Sequence, residues 1–184
     1  DVCSSDLALQ AGSDAALQVR PEARSRAGGY HCLGSKSNGM LNAPALAASK
    51  VAKDVMGSAA EAGVGAIHMN AKEAAPARQC LEEMGHPQPA ARIRAGSKAA
   101  QGFANGATKQ KRSRAFGRRL WWLKGREQQL QLHVAWDAGA YSLAGYPAKH
   151  HTSRHRKAAR PACLHACGKP PRALQECEAT LEAE

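Results

Sequence analysis

The sequence predicts an α/β fold in which helices pack on a mixed sheet. Three observations lead to this prediction: weak strand-like stretches near the start, a long segment with helical spacing, and then alternating strand-like and helix-like segments. A chain of 184 residues has the size of one domain. Strands that are followed by alternating helices and strands are typical of a mixed sheet covered by helices.

The first part of the chain predicts three weak strands in a meander. Apolar residues occur around Leu9, at Gly29 to Leu33 and at Met40 to Leu46, with glycine- and serine-rich turns between them. The spacing then predicts a long helix that begins at Ser58 and stops at Gly85. Pro76 lies inside it, so we expect a kink or an interruption there.

The second half of the chain predicts four elements and a tail. These are a strand over Ala91 to Ala95, a brief helix ending near Gly106, a second long helix over Lys109 to Gln128, and a strand over Leu130 to Trp136. After Lys149 the composition turns to His, Arg, Pro and Ala without a period. We expect this basic tail either to wrap the domain or to be disordered.

The charge of the chain points to a polyanionic partner. It carries 26 Lys and Arg against 15 Asp and Glu, a net charge of +11, which favours nucleic acid over an acidic or neutral small molecule. No apolar run approaches the roughly 20 residues of a spanning helix, so no membrane partner is expected. Aromatic residues are only 4% of the chain, so we expect a core of small side chains.

Six stretches carry a resemblance to a known family. They are ARSRAGGYHCLG, KDVMGSAAEA, NAKEAAPARQCLEEMGHPQP, GFANG, KQKRSRAFGRRLWWLKGREQQLQLHVAW and AKHHTSRH. In this order, from about Ser13 to His165, they resemble the ribonuclease H region of copia-type retrotransposon Pol polyproteins. The resemblance implies a ribonuclease H-like mixed sheet and cleavage of RNA in RNA:DNA hybrids with two magnesium ions, behind an upstream reverse transcriptase domain.

The resemblance also places the family's four metal-binding acids on this sequence. The first is retained as Asp14, within Ser13 to Ala15, and Asp14 is therefore the candidate catalytic and metal-binding residue. The other three positions are occupied by glycine, at Gly63, Gly96 and Gly145. A pair of divalent ions needs a cluster of oxygen ligands, so we expect this degenerate copy to bind no magnesium and to be inactive.

Neighbouring acids are not placed to substitute. Glu61 lies two helical positions before Gly63, a rotation of about 200°, and Glu73 lies about 15 Å further along the axis. Asp137 falls in a predicted loop eight residues before Gly145. The replacements each need one A-to-G change in a codon, which indicates mutational decay, and the same drift accounts for Gly117 and Gly125 in the second long helix.

A basic segment in that helix is the candidate nucleic-acid contact. It runs to Arg126 without an acid, and the candidate residues are Lys109, Lys111, Arg112, Arg114, Arg118 and Arg119. The alternative is a solvated helix face whose long basic side chains cover Trp121 and Trp122. A second alternative concerns the tail, where the residues that a zinc site would use lie close together, at spacings that match no known finger: His150, His151, His155, Cys163, His165 and Cys167.

These observations divide the chain into three parts. Residues 1–7 match one reading frame of a common sequencing adapter and are interpreted as a scar, residues 8–151 as the ribonuclease H-like domain, and residues 152–184 as a basic, poorly ordered tail. The chain is therefore expected to be a fragment. Two other functions stay open: a non-catalytic basic module that binds RNA or hybrid duplex, and a translated pseudogene fragment without function.

Overall fold

A five-stranded mixed sheet forms the centre of the molecule. The structure, a computed structural model, describes residues 7–35, 41–107, 117–137 and 142–163. Within them the strand order is β3-β2-β1-β4-β5, with β1 to β3 antiparallel and β4 and β5 running parallel to β1. The strands are β1 (Leu7–Arg20), β2 (Arg24–Ser35), β3 (Leu41–Val55), β4 (Ala91–Ala95) and β5 (Leu132–Trp136).

The first three strands are much longer than the sequence predicts. β1 and β2 form a hairpin around a short 3₁₀ turn, Pro21–Ala23, and pair from Leu7 opposite Ser35 to Ala16 opposite Arg26. Their alanines and glycines have low strand propensity, so the extended pairing is not visible as apolar alternation. The meander itself is as predicted.

Helix α1 (Ala59–Glu83) begins and ends where the sequence predicts. Ser58 caps it by accepting the Glu61 amide at 3.1 Å, while the Glu61 carboxylate accepts the Gly57 amide at 2.9 Å. The pair resembles a capping box, except that the Glu61 carboxylate accepts the amide of the residue before the cap instead of the Ser58 amide. The helix ends as Gly85 takes a left-handed φ of 87°. Of the kink or interruption expected at Pro76, the interruption does not occur, because α1 is continuous through that residue.

Four further helices complete the described fold. They are α2 (Lys98–Ala104), α3 (Gly117–Gln128), α4 (Gly145–Ala148) and α5 (Ser153–Cys163). β4 and α2 agree with the sequence prediction, and α3 covers the described part of the second long helix. α5 lies in the segment for which the sequence predicts a basic tail, and its Arg, Lys and Ala residues have high helix propensity even without an apolar stripe. Residues 164–184 lie outside the described part.

Small side chains fill the core between the sheet, α1, α2 and α3. Nearly half of the members of the main buried cluster are alanines, and the largest fully buried side chains are Ile67, Ile93, Leu132, Val64 and Val134. This agrees with the core expected from the composition. Among the described residues, no helix combines the length and the apolar character needed to span a membrane.

Asn70 of α1 joins the helix to the sheet. Its side chain is 4% exposed, and its Nδ2 donates to Ser13 Oγ on β1 at 3.1 Å and to the Gly28 carbonyl on β2 at 3.0 Å. Its Oδ1 lies 3.3 Å from Nε2 of His31. A Cβ on Gly29 would lie 1.9 Å from this Oδ1, so only glycine permits the close approach of α1 to β2.

Candidate functional site

Asp14 lies on the central strand, at the end of its pairing with β4. The preceding residue, Ser13, is in register with Ala95, the last residue of β4. Asp14 itself is 8% exposed, and its Oδ1 accepts the amide of Ala15 at 2.8 Å. Because β1 and β4 are parallel, the chain that leaves β4 passes directly beside this carboxylate.

Two of the three glycines at the aligned positions adjoin Asp14. A Cβ built on Gly96, which follows β4, would lie 3.1 Å from Asp14 Oδ1. A Cβ built on Gly145, the first residue of α4, would lie 3.3 Å from Asp14 Oδ2. A longer side chain at either position would therefore start next to the carboxylate.

The third glycine, Gly63, lies across a cleft from Asp14. It is in the first turns of α1, where a Cβ would lie 2.7 Å from Cβ of Ala100 and 3.4 Å from Cβ of Ser97. Asp14, Gly63 and Gly96 line one cleft of about 280 Å³. The structure thus brings together the four positions that the sequence resemblance aligns.

Lys149 supplies the cation that faces Asp14. Its ammonium lies 2.7 Å from Asp14 Oδ2, and the side chain is 43% exposed. The contact is an ion pair, since no donor reaches Oδ2 with hydrogen-bonding geometry among the described residues. The amide of Lys149 donates to the Gly145 carbonyl at 3.0 Å, which holds the residue at the end of α4. Nothing in the sequence marked Lys149, because its role depends on a residue far away along the chain.

The residues of this cleft do not fit a pair of magnesium ions. Magnesium takes oxygen ligands in octahedral geometry, and two-metal sites hold their ions with several carboxylates. Asp14 is the only acid among the described residues that lines the cleft, and the Lys149 ammonium forms an ion pair with it. Across the described residues, no three His, Cys, Asp or Glu side chains come close enough together to hold a metal.

The neighbouring acids are engaged elsewhere, as the sequence predicts. The Glu61 carboxylate caps α1. Glu73 pairs with Lys50, and the hydrogen bond from that lysine holds the pKa of Glu73 below its usual value. Asp137 binds Arg94 at 3.1 Å. None of these three lines the cleft around Asp14.

The predicted nucleic-acid segment is described only in part. Arg118 is exposed, whereas Arg119 pairs with Asp54 of β3 and lies 3.7 Å from the Met56 sulfur. Four of the six candidates lie outside the described residues: Lys109, Lys111, Arg112 and Arg114.

The other basic residues of α3 lie against the indole rings. The Lys124 ammonium is 5.5 Å from the centre of the Trp121 ring, and the Arg126 guanidinium is 5.2 Å from that of Trp122. The alternative in which basic side chains cover the tryptophans therefore agrees with Trp122, which is half-buried, but not with Trp121, which is 75% exposed. His68 meets Trp122 edge-on with ring centres 5.1 Å apart, and burial, followed by nearby Arg119, lowers the pKa of His68.

The histidines near the end of the described chain form a stack. His151 lies parallel to Tyr146 with ring centres 6.3 Å apart, and His155 stacks on His151 at 4.0 Å. Nε2 of His151 is 2.8 Å from the Gly145 carbonyl. The side chains of Cys163, His165 and Cys167, which the zinc alternative requires, lie outside the described part.

Comparison with solved structures identifies the fold. The N-terminal RNase H domain of Rv2228c from Mycobacterium tuberculosis aligns with a TM-score of 0.54 at 11% identity, over 77% of this chain and 91% of that domain. LC11-RNase H1 in complex with an RNA/DNA hybrid aligns with a TM-score of 0.50 at 9% identity, over 71% and 85%. The protease-reverse transcriptase of prototype foamy virus aligns with a TM-score of 0.51 at 11% identity, over 80% of this chain and 22% of that one.

No protein-family model matches the sequence, and no curated protein matches it. The likeness to the solved structures therefore lies in the path of the backbone, with the same kind of mixed sheet and packed helices. On this basis the chain has a ribonuclease H-like α/β fold.

Proposed function

We propose that this chain is a degenerate ribonuclease H-like domain of a copia-type Pol polyprotein that has lost the cleavage of RNA in RNA:DNA hybrids. The observation that carries the proposal is the surroundings of Asp14. Gly96 and Gly145 occupy the two positions from which a second carboxylate would start beside Asp14. The Lys149 ammonium pairs with Oδ2 of Asp14. The loss thus falls on the residues that the chemistry needs, while the fold remains.

The chemistry explains why one acid is not enough. In a two-metal mechanism one ion activates the attacking water and the other stabilises the leaving oxygen, and the protein contributes carboxylates that fix both ions. Here the cleft offers one carboxylate with an ammonium as its counter-ion. Such a pair is close to neutral, so it has little attraction for a divalent cation.

Nucleic-acid binding is the activity that this chain retains under the proposal. Its net charge of +11 suits a polyanion, and the structure of LC11-RNase H1 was solved with an RNA/DNA hybrid. The foamy virus neighbour is a protease-reverse transcriptase, which supports an upstream reverse transcriptase as a partner of this domain. A non-catalytic module that binds RNA or hybrid through basic side chains is the second candidate, favoured by the exposure of Arg118.

A cleavage assay tests the proposal. A labelled RNA:DNA hybrid is incubated with magnesium and then with manganese, beside a restored variant that carries Gly63→Glu, Gly96→Asp and Gly145→Asp. The restored variant also carries Ala100→Gly, because a Cβ at position 63 would lie 2.7 Å from Cβ of Ala100, and Lys149→Met, because the ammonium pairs with Asp14. We expect no cleavage by the original chain and cleavage by the restored variant.

The matched control adds Asp14→Asn to the restored variant and is expected to abolish cleavage again. Cleavage by the original chain would refute the proposal. A folded restored variant that does not cut would show that the lost acids are assigned to the wrong positions. The third possibility, a pseudogene fragment, predicts a noncooperative thermal melt followed by circular dichroism.

A further inference from the structure

Helix α5 is strongly basic and exposed. The arginines and lysine of its described side chains are all exposed to solvent: Arg154, Arg156, Lys157 and Arg160. The sequence holds no Asp or Glu from residue 138 to residue 163, so no acid of this segment can neutralise them. We propose that Arg156, Lys157 and Arg160, termed the α5 basic face, bind the sugar-phosphate backbone of a nucleic-acid duplex beside the Asp14 cleft.

The position of α5 relative to the cleft supports this proposal. His155, in its first turn, stacks on His151 with ring centres 4.0 Å apart, and His151 stacks on Tyr146 of α4. His151 also lies within hydrogen-bonding distance, 2.8 Å, of the carbonyl of Gly145, which is itself beside Asp14. The ring stack therefore attaches one side of α5 to α4, next to the cleft.

Helix geometry directs the basic face away from that attachment. At about 100° per residue, Arg156, Arg160 and Lys157 fall within about 100° of one another around the helix axis. His155 lies about 150° from the middle of this arc. The ring stack thus holds α5 by one side and leaves the three cations on the other side, where a ligand as large as a duplex has access.

Charge identifies the partner. Arg156 and Arg160 are four residues apart, and like charges at this spacing destabilise a helix. A polyanion removes this repulsion, and the guanidinium fork matches the oxygens of a phosphate. The face carries no aromatic or amide side chain that could recognise a base edge. Binding is therefore expected to depend on phosphates and little on sequence.

Fluorescence anisotropy with a labelled RNA:DNA hybrid, over a series of KCl concentrations, tests the inference. The test variant is Arg156→Gln, Lys157→Gln and Arg160→Gln. The matched control removes three exposed charges elsewhere, by Arg20→Gln, Lys53→Gln and Lys72→Gln, so that both variants have the same net charge. A further variant with Arg156→Lys and Arg160→Lys keeps the charge but loses the guanidinium forks, so it is expected to keep the salt dependence and to bind more weakly than the original chain but more tightly than the Gln variant.

The expected loss follows from counterion release. Each phosphate contact contributes a slope of about 0.9 in log affinity against log salt, so losing two to three contacts weakens binding by about 30- to 200-fold at roughly 0.15 M salt. The control triple is expected to lose much less and to keep the slope. Equal losses in the two triple variants would overturn the inference and leave only a net-charge effect.

The inference rests on the proposed nucleic-acid binding, and the outcomes separate the two. If the original chain binds the hybrid and the α5 variant binds it equally well, the role of the α5 basic face is refuted while the proposed function stands. If the original chain binds no hybrid at all, both are refuted. Displacement of the hybrid by polyglutamate as readily as by unlabelled duplex of equal charge would also overturn the inference, because the face would then accept any polyanion.

Discussion

Replacing Lys149 by methionine tests the ion pair that closes the Asp14 cleft. Asp14 is 8% exposed, and Lys149 is the only described group that meets its Oδ2. Leaving a buried polar group without its partner costs about 1 to 3 kcal/mol, and leaving a charged group so costs more. Because the Lys149 side chain is 43% exposed, water can partly replace the ammonium, so the lower part of this range applies, about 1 to 2 kcal/mol.

Urea denaturation measures this change in the free energy of unfolding, and a thermal melt should show a Tm lower by about 2 to 8 °C for a chain of this size. Lys53→Met, at an exposed lysine of β3, is the control and should change stability by less than about 0.5 kcal/mol. A double-mutant cycle with Asp14→Asn isolates the pair. If Lys149→Met has the same effect in both backgrounds, the two side chains do not interact and the account of the cleft is wrong.

Three further substitutions or conditions test the structure. Gly125→Ala should raise the free energy of unfolding by about 0.5 to 1 kcal/mol in urea, since a Cβ there meets no atom within 4 Å; a loss would mean that α3 packs differently. Gly63→Ala should lower it by about 1 to 2 kcal/mol, and Ala100→Gly should relieve most of that loss, because the two Cβ atoms would lie 2.7 Å apart. Burial lowers the pKa of His31 and His68. Their contribution to the free energy of unfolding is therefore fully present above pH 6.5, which is their pKa in the unfolded chain, and it is lost as the pH falls below that value. Urea midpoints between pH 7.5 and pH 5.5 measure this, and His68→Gln should flatten the dependence if the assignment is right.

Local signals predicted the elements that local chemistry determines. The helical spacing that begins at Ser58 and the stop at Gly85 predicted α1, and the short run of β4 predicted a strand. The long hairpin of β1 and β2 escaped prediction, because its pairing depends on the partner strand rather than on apolar alternation. α5 escaped for the opposite reason: it forms from residues of high helix propensity without an apolar stripe.

The candidate site was predictable only where the family resemblance reached. The resemblance pointed to Asp14 and to the three glycine positions; in the structure Gly63 and Gly96 line one cleft with Asp14, and Gly145 adjoins Asp14. It gave no indication of Lys149, which meets Asp14 only because α4 folds back across the sheet. A single lysine in a basic segment has no local signature that distinguishes the counter-ion of a buried carboxylate from a fully solvated side chain.

The Asn70 side chain couples the unfolding of α1 to the unfolding of the sheet. Its buried amide bonds to β1 and β2 at once, so the first half of α1 cannot leave the sheet without exposing three partners that have no replacement inside the protein. In amide hydrogen exchange, that half of the helix should therefore exchange together with the central strands, at the free energy of global unfolding. The last turns of α1, beyond Pro76, are largely exposed, and their amides should exchange earlier, by fraying of the helix end.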